Sequence, residues 1–78
     1  MARIVRFTRL PKDRVGRHTD VECGYAVVEV EGKQALLLET YGSDERAVPG
    51  KTSQSLLMDE DAASRLMKLL AQAFPGVR

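Results

Sequence analysis

Seventy-eight residues with four aromatics and no tryptophan make one domain at most, near the lower size limit for a chain that buries its own core. A lone cysteine, Cys23, and a lone histidine, His18, exclude a disulfide framework and a Cys/His zinc site within one chain, so no metal or other cofactor is expected. The formal net charge is +1, yet residues 1–18 hold six bases against one acid, a net of +5, while residues 19–78 carry −4. That asymmetry suits either an arm for a polyanion or a solvated terminal face.

Arg3, Arg6 and Arg9 interrupt the amino terminus before any long apolar run, so the sequence reads as lacking a signal peptide. No run is long enough to span a membrane. A soluble protein of the reducing cytoplasm is expected. Two stretches follow from composition. Residues 1–23 form a basic arm with a short strand and a mobile loop, and residues 24–78 form the β-β-β-α remainder of one domain.

Ile4, Val5 and Phe7, set among arginines, make a candidate first strand that Pro11 ends. Residues 11–23 are polar and rich in turn formers. The spacing predicts a second strand over about Tyr25–Val30, with Ala26, Val28 and Val30 on one face and Tyr25, Val27 and Glu29 on the other. Glu31-Gly32 is the tight turn, with Gly32 free to take a positive φ. A third strand over about Lys33–Tyr41 places Leu36, Leu38 and Thr40 opposite Ala35, Leu37, Glu39 and Tyr41. Both faces are apolar, which a half-solvated hairpin does not need. A second copy is the simplest cover for a four-stranded sheet that has only one helix.

Residues 42–50 are a polar excursion closed by Pro49-Gly50, and a fourth strand follows over about Thr52–Met58. Asp59 reads as a helix cap, with Glu60 and Asp61 in the first turn, where the helix dipole favours negative charge. Ala63, Leu66, Met67, Leu70 and Phe74 then recur at helical spacing, widened by Ala62, Leu69 and Ala73. Pro75-Gly76 stops the helix. The expected fold is α+β: a four-stranded antiparallel curved sheet followed by one C-terminal helix, homodimeric.

Catalytic motifs are missing. Pro49-Gly50-Lys51-Thr52 looks like the end of a phosphate-binding loop, but Glu45 stands where that loop needs glycine, and a strand rather than a helix follows. Cys23 and His18 lie five residues apart beside an irregular segment with no orienting third group. Helix capping accounts for Asp59, Glu60 and Asp61. The chain reads as a binding protein rather than an enzyme.

From Ala26 to about Leu70 the chain resembles the positive-cofactor-four type of transcriptional coactivator. The matching features are Gly32-Lys33 in the turn, Glu39-Thr40-Tyr41 closing the third strand, Pro49-Gly50-Lys51 before the fourth, and Ser64-Arg65-Leu66 in the helix. The pattern differs at the hairpin tip, where Val30-Glu31 replaces an aromatic followed by a base, and at Gly42, where the family can carry tryptophan. The resemblance implies homodimers that bind single-stranded DNA, stacking bases on aromatics while Lys and Arg hold phosphates. Carried over, it reaches Lys33, Tyr41 and Lys51.

The residues expected at a nucleic-acid site are therefore Arg3, Arg6, Arg9, Lys12, Arg14 and Arg17 of the arm, with Tyr25, Lys33, Tyr41, Arg46 and Lys51. Partners would be a second copy, single-stranded DNA or RNA, and a protein of the transcription machinery, with no membrane. Two other readings stay open. One is an assembly module that binds protein alone. The other is a ribbon-helix-helix repressor of duplex DNA, in which Thr52–Met58 and Asp59–Phe74 supply the strand and first helix.

Overall fold

The computed structural model describes residues 1–41, 52 and 54–77. Four strands and one helix follow in the order β1 (Ala2–Ile4), β2 (Cys23–Val30), β3 (Lys33–Thr40), β4 (Gln54–Asp59) and α1 (Glu60–Ala73). The α+β class and the element order match the sequence reading. No helix among the described residues is long and apolar enough to cross a membrane.

One feature of the sheet corrects that reading. The strands lie in the order β1-β4-β3-β2. β2, β3 and β4 are antiparallel neighbours, but β1 runs parallel to β4, with Ala2 opposite Leu56 and Ile4 opposite Met58. The sheet is mixed. The cause is the connection: residues 5–22 contain no helix or strand and carry the chain from one sheet edge to the other. A short link would hold β2 against β1 as an antiparallel hairpin, whereas this long crossover sends β2 to the far edge and leaves β1 beside β4. β1 also stops at Ile4, before Val5 and Phe7.

The hairpin forms where the sequence placed it. Val30 pairs with Lys33 across a two-residue loop, and both loop residues have positive φ, Glu31 at 51° and Gly32 at 80°. This is the turn whose twist matches that of paired strands. Glu31 adopts it without the freedom of glycine or the tolerance of asparagine.

Asp59 ends β4 and caps α1, accepting a hydrogen bond from the Ala62 backbone N–H at 2.9 Å. At the other end Phe74 leaves helical geometry, with φ −131° and ψ 85°, while its N–H still bonds to the Leu70 carbonyl. Pro75 explains this, because a proline disfavours helical backbone in the residue before it.

Packing is thin. Helix α1 rests on β4 and β3, and among the described residues only Ala35, Met58 and Ala62 are buried. Met58, at 2% exposure, is the centre of that small core. The helix has two apolar seams. Ala62 and Leu66 turn inward; Met67 and Phe74 remain 66% and 58% exposed.

Candidate nucleic-acid interface

Cross-strand pairing fixes which side chains share a face. Tyr25, Leu38 and Leu56 lie in one row, and Val27, Leu36 and Met58 in the next. Gly24, Glu39 and Ser55 occupy the opposite face, where the Ser55 hydroxyl donates to Glu39 at 3.5 Å. On the first face β2 is open: Tyr25 is 79% and Val27 66% exposed. An aromatic ring left standing on a strand is a surface on which a base can stack.

The second tyrosine is placed differently. Tyr41 continues the ladder one step beyond β3, its N–H bonded to the Glu22 carbonyl at 3.2 Å. Its ring crosses Gly24 so closely that a Cβ there would lie 2.8 Å from the Tyr41 hydroxyl. Tyr41 is half-buried, on the face away from Tyr25. The two tyrosines form no common stack.

The basic residues also separate. Arg3 lies in β1 and pairs with Asp59 at 3.5 Å, a long contact between two half-exposed groups. Arg6, Arg9, Lys12, Arg14 and Arg17 all project from the irregular segment and are exposed. Lys33 lines a groove that also contains Asp59, Glu60 and Asp61. A groove that carries three carboxylates and one ammonium is net negative and a poor seat for a phosphate. Arg46 and Lys51, with the whole 42–50 loop, lie outside the described residues.

That groove contains none of the sequence-expected site residues except Lys33. It is open, about 1070 Å³, with Val27, Leu36 and Met58 in its floor and the first turns of α1 along one side. Its signals in the sequence are the apolar alternation of β2 and β3 and the Asp59-Glu60-Asp61 run, which helix capping alone also explains. The Ala62 N–H holds the Asp59 carboxyl below its ordinary value of 3.8, and Arg3 adds to the effect. Asp61 pairs with Arg65 one helical turn on, at 3.2 Å. A smaller groove lies between Phe7 and the Asp61, Arg65 and Leu69 side of the helix. Among the described residues no group of three His, Cys, Asp or Glu side chains is arranged to hold a metal ion.

Compared with protein-family models, curated proteins and solved structures, the chain matches none.

Proposed function

We propose that the chain is a homodimeric, single-stranded nucleic-acid-binding domain acting in transcription or DNA metabolism. Five exposed bases, Arg6, Arg9, Lys12, Arg14 and Arg17, attract the phosphates, and Tyr25 stacks on a base. The observation that supports this most is the exposed Tyr25 ring on an apolar sheet face, in a chain whose amino-terminal segment is strongly cationic. Stacking needs unpaired bases, which favours single strands over duplex. Arg3, paired with Asp59, and Lys33, which shares its groove with three acids, are left out of the proposed phosphate-binding set. A reducing, cytoplasmic setting goes with the exposed thiol of Cys23.

Titration of a labelled single-stranded oligonucleotide at several salt concentrations, beside its duplex, tests the reading. Binding that prefers the single strand and weakens with salt is the expected result. No binding at low salt ends it. The duplex-repressor alternative has little to work with: β4 is paired on both sides, so it has no free edge with which to form an intermolecular ribbon.

The acidic-rimmed groove favours a second reading, an assembly module that takes a basic, partly apolar peptide between β3 and α1. Glutamine at positions 6, 9, 12, 14 and 17 separates the two. Nucleic-acid binding requires those bases; a peptide seated in the groove does not.

A further inference from the structure

The sheet has two edges, and they differ in kind. β1 offers three residues, whereas β2 offers eight, and among the described residues nothing pairs with its outer side. Long edges in soluble proteins are ordinarily blunted by proline, lysine or a bulge. β2 has none of these: its register against β3 is unbroken over all eight residues, and Glu29 is its single charge. At the same edge stand the two most exposed apolar side chains of the paired sheet face, Tyr25 and Val27. Each has a neighbour from β3 on one flank and, among the described residues, no paired strand on the other.

We propose that β2 pairs antiparallel with β2 of a second copy of this chain, about a twofold axis at Ala26. The proposal rests on the homodimer in the functional reading above and names its interface. This register sets Tyr25 of each protomer directly opposite Val27 of the other, an aromatic and β-branched pair of the kind that stabilises sheets. Gly24 then faces Val28, and Glu29 faces Cys23 rather than another acid. Moving the axis to Val27 would set Tyr25 against Glu29 and lose both apolar pairs. Such self-complementarity points to a copy of the same strand rather than a foreign one. The available area agrees. The chain exposes 7252 Å², against about 4,700 Å² for a compact monomer of its mass. The excess, part of it on the exposed irregular residues 5–22, leaves room for the roughly 800 Å² that each partner of a stable pair buries.

The pairing also completes the ligand surface. Across the axis the two Tyr25 residues become diagonal neighbours on one face, about 7–8 Å apart. A single protomer offers one ring, and the pair offers two to the same strand of nucleic acid.

A cysteine at position 29 reads the register directly. Residues directly opposite in antiparallel strands have Cα atoms about 4.5–5.5 Å apart, within the span of a disulfide. Within one chain, positions 23 and 29 are about 20 Å apart along a single strand and cannot bridge. Mild oxidation of the full-length Glu29→Cys variant is therefore expected to give a covalent dimer on a non-reducing gel. Wild type and the Cys23→Ser/Glu29→Cys double variant should stay monomeric there. Val27→Lys, a change at an exposed position, should convert the dimer to monomer in sedimentation with its circular dichroism unchanged. A dimer that gives no cross-link with Glu29→Cys, or that survives Val27→Lys, overturns the proposal and moves the interface to the outer helix seam. A cross-linked dimer that binds no oligonucleotide keeps the interface and removes the nucleic-acid reading.

Discussion

Asp59 joins three parts of the molecule. It ends β4, caps α1 through the Ala62 N–H, and holds Arg3 of β1. A carboxyl whose folded pKa lies below 3.8 contributes stability above that value and loses it as pH falls through the lowered value. Thermal melts should therefore show a destabilisation below about pH 4 that Asp59→Asn removes. Asparagine still caps a helix, so that variant loses little at pH 7, whereas Asp59→Ala should lower the melting temperature by several degrees. Equal behaviour of the two variants at both pH values would refute this role.

The tyrosines give a second residue-scale contrast. If Tyr25 stacks on a base, Tyr25→Ala should weaken oligonucleotide binding by about 1–3 kcal/mol, roughly 5- to 150-fold. Tyr41→Ala should leave affinity nearly unchanged and act on stability instead, because its ring covers Gly24. Fluorescence anisotropy with both variants decides the matter. A larger loss at Tyr41 would place the stacking surface on the other face.

At the scale of elements, the turn between β2 and β3 is strained at one position. Glu31 holds a left-handed conformation at φ 51°, which costs a non-glycine residue about 1–2 kcal/mol and costs asparagine less. Glu31→Asn should therefore stabilise the hairpin by about 1 kcal/mol in a denaturant melt. An unchanged midpoint would mean that the turn relaxes in solution.

The hairpin, β4 and α1 were legible because each rests on local chemistry. Glu31-Gly32 signals a turn, Asp59 a cap, Pro75 a stop, and the Leu/Met spacing a helix face. β1 was legible as a strand near the amino terminus, but neither its extent, Ala2–Ile4 rather than Ile4 to Phe7, nor its direction was. Its parallel pairing with β4 depends on residue 2 meeting residue 56 across the fold, which no local pattern encodes. The site divides the same way. Charge along residues 6–17 is visible in the sequence. The separation of Tyr25 from Tyr41 onto opposite faces, and the groove that Lys33 shares with three carboxylates, needed the register and the helix position.

Viewed whole, the molecule is more extended than its length requires. Its radius of gyration is 14.5 Å, against about 11.5 Å for a compact chain of this size. Among the described residues a core of Ala35, Met58 and Ala62 is small for so much sheet, and association is the ordinary remedy in a chain this short. Sedimentation is expected to give twice the protomer mass at micromolar concentration. Well-folded monomers at high concentration would contradict the homodimer. Charge at this scale sets the salt response. With five bases engaged on a single strand, log affinity should fall against log salt with a slope of about −3.5. Five glutamines in their place should flatten that line, and a slope that persisted would put the phosphates elsewhere.

The amino-terminal cations are not strung on a loose tail. Residues 5–22 are stapled at both ends, by β1 at one border of the sheet and by β2 at the other. They form a belt anchored at strand ends about 20 Å apart, three strand spacings across the sheet and four residues along it, far less than eighteen residues can reach. The belt has slack. Lengthening it should cost little, about 0.6 kcal/mol for a doubling. A single protease cut between Arg9 and Arg14 would keep every charge yet free two fraying ends, separating the effect of charge from the effect of holding it in place.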